Sequence, residues 1–103
     1  PEFIDKFCSE TGLKICLDVS HSMMTCNYLK IDLMNEYYPK IKKHVNYMHV
    51  VDAKGVDGEG VQIGSGDVPF KELCNSLNND FPYVAFVPEV WQGLFPFGVR
   101  VRV

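Results

Sequence analysis

The sequence predicts an α/β fold in which about three parallel strands, joined by crossover helices, form successive units of a (β/α)8 barrel. Three observations predict it. Short apolar runs at residues 13–18 (LKICLD), 45–51 (VNYMHVV) and 83–89 (YVAFVPE) have the length and character of strands buried on both faces. Stretches with helical spacing separate them, so consecutive strands are joined by crossovers and run parallel. Polar residues at the strand ends recur at barrel spacing: 31 positions separate Asp18 from His49 and 40 separate His49 from Glu89, against roughly 30 residues per unit in an eightfold barrel.

The elements follow in order. Phe3, Ile4, Phe7 and Cys8 recur at helical spacing and Gly12 follows, which predicts a helix ended by a C-terminal glycine. After the first strand, residues 19–27 (VSHSMMTCN) are expected to form a polar, Met-rich turn, with Met23 and Met24 packing near the mouth of a cleft. Leu29, Leu33, Met34, Tyr37, Tyr38 and Ile41 share one face, predicting a crossover helix over residues 28–44 that Pro39 kinks or splits. The second strand is followed by AKGVDGEGVQIGSGDVP, which holds five of the eight glycines and is expected to be a long irregular wall of an active site. Gly64-Ser65-Gly66 within it is a weak phosphate-loop candidate because it lacks the Walker pattern and does not follow a strand. Residues 70–77 predict a short helix, with Asp67 as N-cap and Pro69 in the first turn. The third strand is expected to end at Glu89, and residues 94–103 alternate apolar residues and Arg like an exposed strand.

Composition sets the bounds. With 103 residues, 47% of them apolar and 22% charged, the chain is globular in character, and its net charge of -3 with scattered basic residues argues against a nucleic-acid partner. Lys40, Lys42 and Lys43 form the one close basic group, at a helix end where cations complement the dipole, and His44 is expected there as a solvated or dipole-complementing residue. No apolar run is long enough for a bilayer and no basic-apolar leader opens the chain, so a cytoplasmic protein without membrane association is expected. Cys8, Cys16, Cys26 and Cys74 make no C-x-x-C pair, and buried thiols in a reducing compartment are expected instead of disulfides or a zinc ribbon. The chain begins at Pro1 inside a helical pattern and is expected to be an excerpt of a longer protein.

Each strand ends in a residue able to bind a metal: Asp18, His49 and Glu89. A carboxylate at a strand end is more often a helix N-cap, and a single His in an apolar strand is more often a core residue. Three such residues at three successive strand ends reverse those odds, because in a parallel barrel all three ends lie on the face that carries active sites. Imidazole with carboxylates leaves open positions on Mn, Mg, Co or Zn for the oxygens of a sugar. His21 follows Asp18 by three positions and is within reach of the same cleft as a donor to substrate hydroxyls or a further ligand.

The runs LKICLDVSHSMM, YMHVVDAKG, EGVQIGSGDVPF and FVPEVWQG together resemble the C-terminal portion of xylose-isomerase-like TIM barrels, which include sugar phosphate isomerases and epimerases and endonuclease IV-type repair enzymes. The pattern of that family is matched by Asp18/His21, His49/Asp52, residues 63–70 and Glu89, over residues 1–93; residues 94–103 depart from it as an atypical tail. The resemblance implies Asp18, His49 and Glu89 as ligands of a divalent cation and Glu89 with His21 as the proton-transfer groups. It also implies His21, Asp52 and Lys54 as contacts of the substrate. The family's other metal-binding Glu belongs to an earlier strand that is outside this chain. The EVWQG wording further resembles the isomerase-like domain fused to sialic-acid-synthase-type proteins.

The expected function is therefore part of a metal-dependent isomerase or epimerase of a small sugar or sugar phosphate, acting through an enediolate, with the activity belonging to the parent protein and not to the isolated fragment. The alternatives are an endonuclease IV-like phosphodiesterase, against which the acidic balance argues, and a non-catalytic module that self-associates through open sheet edges.

Overall fold

The chain opens with α1 (Glu2–Thr11), which ends where Gly12 takes a left-handed φ of 74° and donates its N–H to the Cys8 carbonyl. The computed structural model describes residues 1–81 and 85–88 in full, and residues 91–94 and 100–102 by their backbone. Cys8 is the inward residue of α1, while Phe3 and Phe7 stack on its outer side. Strands β1 (Ile15–Asp18), β2 (Val45–Val50) and β5 (Ala85–Pro88) form the expected parallel sheet in the order β1-β2-β5. Leu17 pairs with Met48, Asp18 with His49 and His49 with Val87. Register partners in parallel strands share a face, so Leu17, Met48 and Phe86 point one way and Asp18, His49 and Val87 the other. Leu17 and Met48 are buried in the core with Val19, Met23, Ile41 and Leu73.

Three expectations about the connections are corrected. Residues 19–27 are not a turn: α2 (Val19–Leu29) starts directly after β1. Its buried positions are Ser20 and Ser22 beside Val19, Met23 and Cys26, so two of the five are polar and its periodicity is hidden in the sequence. The helix ends where Lys30 adopts a φ of 57°. The crossover expected over residues 28–44 is accordingly broken before Pro39. A π-helical turn (Leu33–Tyr37), capped by Asp32, runs into α3 (Tyr38–Ile41) and a 3-10 turn (Lys42–His44). Pro39 sits in the first turn of α3, where its missing N–H has no intrahelical partner to lose.

The glycine-rich segment is more regular than expected. It holds an antiparallel hairpin, β3 (Asp52–Lys54) with β4 (Gly58–Val61), before α4 (Phe70–Asp80), which extends past residue 77. Pro69, and not Asp67, occupies the N-cap position of α4. After β5, strands β6 (Trp91–Leu94) and β7 (Arg100–Arg102) pair antiparallel, so the Arg-alternating stretch includes a strand.

Polar burial brings two further corrections. His44 is buried, not solvated: its Nε2 lies 2.8 Å from Asp5 Oδ1, which Lys43 Nζ also approaches at 3.0 Å. These contacts hold the Asp5 carboxyl below its usual range, His44 first and Lys43 second. Of the cysteines, which form no disulfides, Cys8 and Cys26 are buried but Cys16 and Cys74 are exposed. Cys16 is the immediate neighbour of Leu17 on β1 and so points to the opposite, uncovered face. Among the described residues no helix is long and apolar enough to cross a membrane.

Candidate metal centre

The parallel pairing of β1 and β2 places Asp18 and His49 side by side at the carboxyl ends of their strands. Asp18 Oδ2 lies 3.7 Å from His49 Nδ1, and both side chains are partly exposed, at 27% and 35%. A divalent cation with bonds of 2.0–2.2 Å sets neighbouring ligand atoms about 3 Å apart. The observed pair approaches that separation, and its imidazole and carboxylate chemistry suits Mn, Mg, Co or Zn. Tyr47, two positions before His49 on the same face, meets the imidazole in an edge-to-face arrangement with ring centroids 5.7 Å apart. Glu89, expected as the third ligand and as a proton-transfer group, lies outside the described residues. Among the described residues no group of three or more His, Cys, Asp or Glu side chains could hold a metal, and Asp18 and His49 form a pair.

Asp18 is also the N-cap of α2. Its Oδ1 accepts the His21 backbone N–H at 3.0 Å from an extended backbone conformation, which satisfies one of the helix's unpaired donors. The cap brings the His21 side chain to the same end of the sheet, where its Nε2 lies 3.0 Å from Glu59 Oε2. The adjacent residues on both elements also meet, since Ser20 Oγ accepts the Gly60 N–H at 3.2 Å. The first turn of α2 is thereby pinned to β4. Asp18 and His21 also line an open cleft of about 230 Å³ along the free side of β1.

Asp52 and Lys54, expected to face the substrate, are held by other work. Asp52 is fully buried. Its Oδ1 accepts the N–H groups of Ala53 (2.8 Å) and Val68 (3.0 Å), and its Oδ2 those of Gly64 and Gly66 (both 2.9 Å). A single carboxylate thus closes the loop that follows β4 back onto β3. The approach is tight enough at Gly66 that a Cβ there would stand 2.2 Å from the Ala53 carbonyl oxygen and 2.4 Å from Asp52 Oδ1. Lys54 Nζ lies 3.5 Å from Asp67 Oδ1. Asp67 Oδ2 accepts from Gly55 N (2.8 Å) and Asn27 Nδ2 (3.1 Å), and its carboxyl is held below the usual range by the Gly55 N–H first and by the Lys54 charge. Asn27 is six residues beyond His21 on α2, which is about 9 Å along the helix axis. Lys54 therefore belongs to the far end of the hairpin.

Glu59, Ser20 and Asn27 were not singled out by the sequence, and Asp67 was expected only as a helix cap. For Glu59 the signal that could have found it is its place between Gly58 and Gly60, in a strand short enough to be hidden within a glycine-rich loop.

A parallel β/α sheet with a carboxylate and an imidazole at adjacent strand carboxyl ends defines a barrel-type α/β protein whose polar groups gather on the face that carries barrel active sites. The family model of the xylose isomerase-like TIM barrel matches residues 2–96. The chain belongs to that family. No curated protein and no solved structure is significantly similar to it.

Proposed function

We propose that this chain is part of a divalent-metal-dependent sugar isomerase or epimerase that acts by proton transfer through an enediolate. The observation that carries the reading is the Asp18–His49 pair, 3.7 Å apart at the ends of adjacent parallel strands. Asp18 and His49 would hold the cation, with Glu89 as the third ligand and the group that would move the substrate proton. When bound, the cation polarises the carbonyl and hydroxyl oxygens of a sugar and stabilises the charge of the enediolate. His21, presented by the first turn of α2, contacts a substrate hydroxyl. The substrate class is a small sugar or sugar phosphate, and the resemblance of the Glu89-Val90-Trp91-Gln92-Gly93 run to the isomerase-like domain fused to sialic-acid-synthase-type proteins adds acylamino sugars to it.

The test uses the full-length parent loaded with Mn or Co. Expected are metal binding that Asp18→Asn and His49→Ala weaken, and exchange of solvent deuterium into an aldose or ketose. A parent that neither binds metal nor exchanges deuterium into any sugar would refute the reading.

A second reading concerns association, and the exposure of Phe86 (61%) and Val87 (41%) on the two faces of β5 favours it. The chain self-associates through the edges and uncovered face of its parallel sheet. Sedimentation should then show an oligomer, and a cooperatively melting monomer would count against it.

A further inference from the structure

The β3–β4 hairpin carries one residue more on its second strand than on its first. Asp52 pairs with Val61 and Ala53 with Glu59, so Gly60 stands between two paired residues with no partner of its own, at a left-handed φ of 70°. This is a glycine β-bulge, a device that re-aims the side chains beside it. In an unbroken antiparallel register Ala53 would face Gly60 and Lys54 would face Glu59, where opposite charges form a favourable cross-strand pair. The bulge withdraws Glu59 from that pairing. Lys54 Nζ turns to Asp67 Oδ1 at 3.5 Å, and Glu59 Oε2 lies 3.0 Å from His21 Nε2.

Backbone contacts on both elements hold this arrangement. Gly60 is buried and donates its N–H to Ser20 Oγ, also buried, at 3.2 Å, so the immediate neighbours of Glu59 and His21 are joined. Asn27 Nδ2 donates to the Gly55 carbonyl oxygen at 2.7 Å and ties the tip of the hairpin to the same helix. The His21 backbone N–H is held in turn by Asp18 Oδ1. The Glu59 and His21 side chains are more than half exposed, so the pair itself adds little stability. What it sets is the state of the ring. A carboxylate only accepts, and a neutral imidazole carries a single proton. With Glu59 on Nε2 that proton is on Nε2, and Nδ1 keeps its lone pair.

We infer that Glu59 is a positioning residue: it acts through His21, fixing the tautomer and direction of the imidazole so that Nδ1 accepts a hydrogen bond from a substrate hydroxyl. The inference rests on the isomerase reading for the presence of a sugar hydroxyl, whereas the Glu59–His21 pairing is independent of it. Two measurements keep them apart.

In the first, the imidazole nitrogens of His21 in this chain are read by long-range 1H–15N correlation at a pH where the ring is neutral. One tautomer, with the proton on Nε2, is expected. Glu59→Gln should keep it through the amide oxygen, and Glu59→Ala should give a mixture of both tautomers with no change in the midpoint of thermal unfolding. A mixture in the unaltered chain, or a single tautomer that survives Glu59→Ala, would overturn the inference whether or not the parent is an isomerase. In the second, the Mn-loaded parent exchanges solvent deuterium into its sugar. Glu59→Ala should lower kcat about 10-fold with Mn affinity unchanged, and Glu59→Gln should recover most of the loss. In a His21→Ala background Glu59→Ala should cost nothing further, because its effect passes through the missing ring. An equal loss in both backgrounds would overturn the positioning role. A parent that exchanges deuterium into no sugar would remove the isomerase reading, while the tautomer measurement still decides whether Glu59 sets the His21 ring.

Discussion

Asp18 divides its carboxylate between two tasks: Oδ1 accepts the His21 backbone N–H at 3.0 Å, and Oδ2 faces His49 Nδ1 at 3.7 Å. Cap and ligand are usually weighed as alternatives for an acid at a strand end. Here one oxygen caps the helix while the other is left facing the imidazole of His49.

Substitutions should separate these tasks. Asp18→Asn keeps a carbonyl oxygen for the cap, so thermal stability should change little while Mn affinity of the parent falls more than about 10-fold, since a lost ligand outweighs a lost supporting contact. Asp18→Ala should add a loss of about 1 kcal/mol from the uncapped helix. Calorimetric titration and denaturant unfolding of the two variants check this. Equal stability of the two would show that the cap contributes nothing.

Asp52 should be the most sensitive polar position in the loop. Asp52→Ala leaves buried backbone donors without acceptors and should cost at least about 3 kcal/mol, with hydrogen exchange accelerated first at residues 64–68. Gly66→Ala should produce the same local loosening, because its Cβ has no space against Ala53 and Asp52. Amide exchange that quickened evenly through the chain would contradict a local role.

Acid should loosen the attachment of α1. The Glu2 carboxyl is lowered from 4.5 to about 2, chiefly by its hydrogen bond with Lys40, and Asp5 is lowered from 3.8 by His44 and Lys43. Carboxyls depressed in the folded state stabilise it above their unfolded values and lose that contribution as pH falls. Stability should therefore decline from about pH 4.5 towards pH 2, and Glu2→Gln with Asp5→Asn should flatten the decline in a series of thermal melts.

The alkaline side depends on Cys26. Burial pushes its thiol up from 9.0 to about 11, so the folded chain keeps a proton that the unfolded chain has lost. The contribution is complete below pH 9 and is lost as pH rises to about 11, and Cys26→Ala should remove this part of the alkaline decline. Alkylation of the native chain read by mass spectrometry should modify the exposed Cys16 and Cys74 before the buried Cys8 and Cys26. Early modification of Cys26 would contradict its burial.

What could be read from the sequence was whatever depends on local pattern. The three parallel strands were legible because a doubly buried strand is a short apolar run, and Asp18 and His49 were legible as its polar ends. Gly12 announced the end of α1 because a left-handed φ there favours glycine. Helix α2 was concealed because Ser20 and Ser22 are buried, and burial of a small hydroxyl depends on what lies across from it.

The tertiary structure alone decided the duties of the acids. Nothing local distinguishes Asp52, fully buried, from Glu59, exposed beside His21. The difference comes from backbone donors 12 to 16 residues away that fold back onto Asp52, and from the hairpin that carries Glu59 across to α2. A carboxylate's role depends on which donors surround it, and that is settled by chain segments distant in sequence. For the same reason, the pattern alone placed Asp18 and His49 at one end of the sheet, but the parallel register of β1 and β2 brought their donor atoms to 3.7 Å.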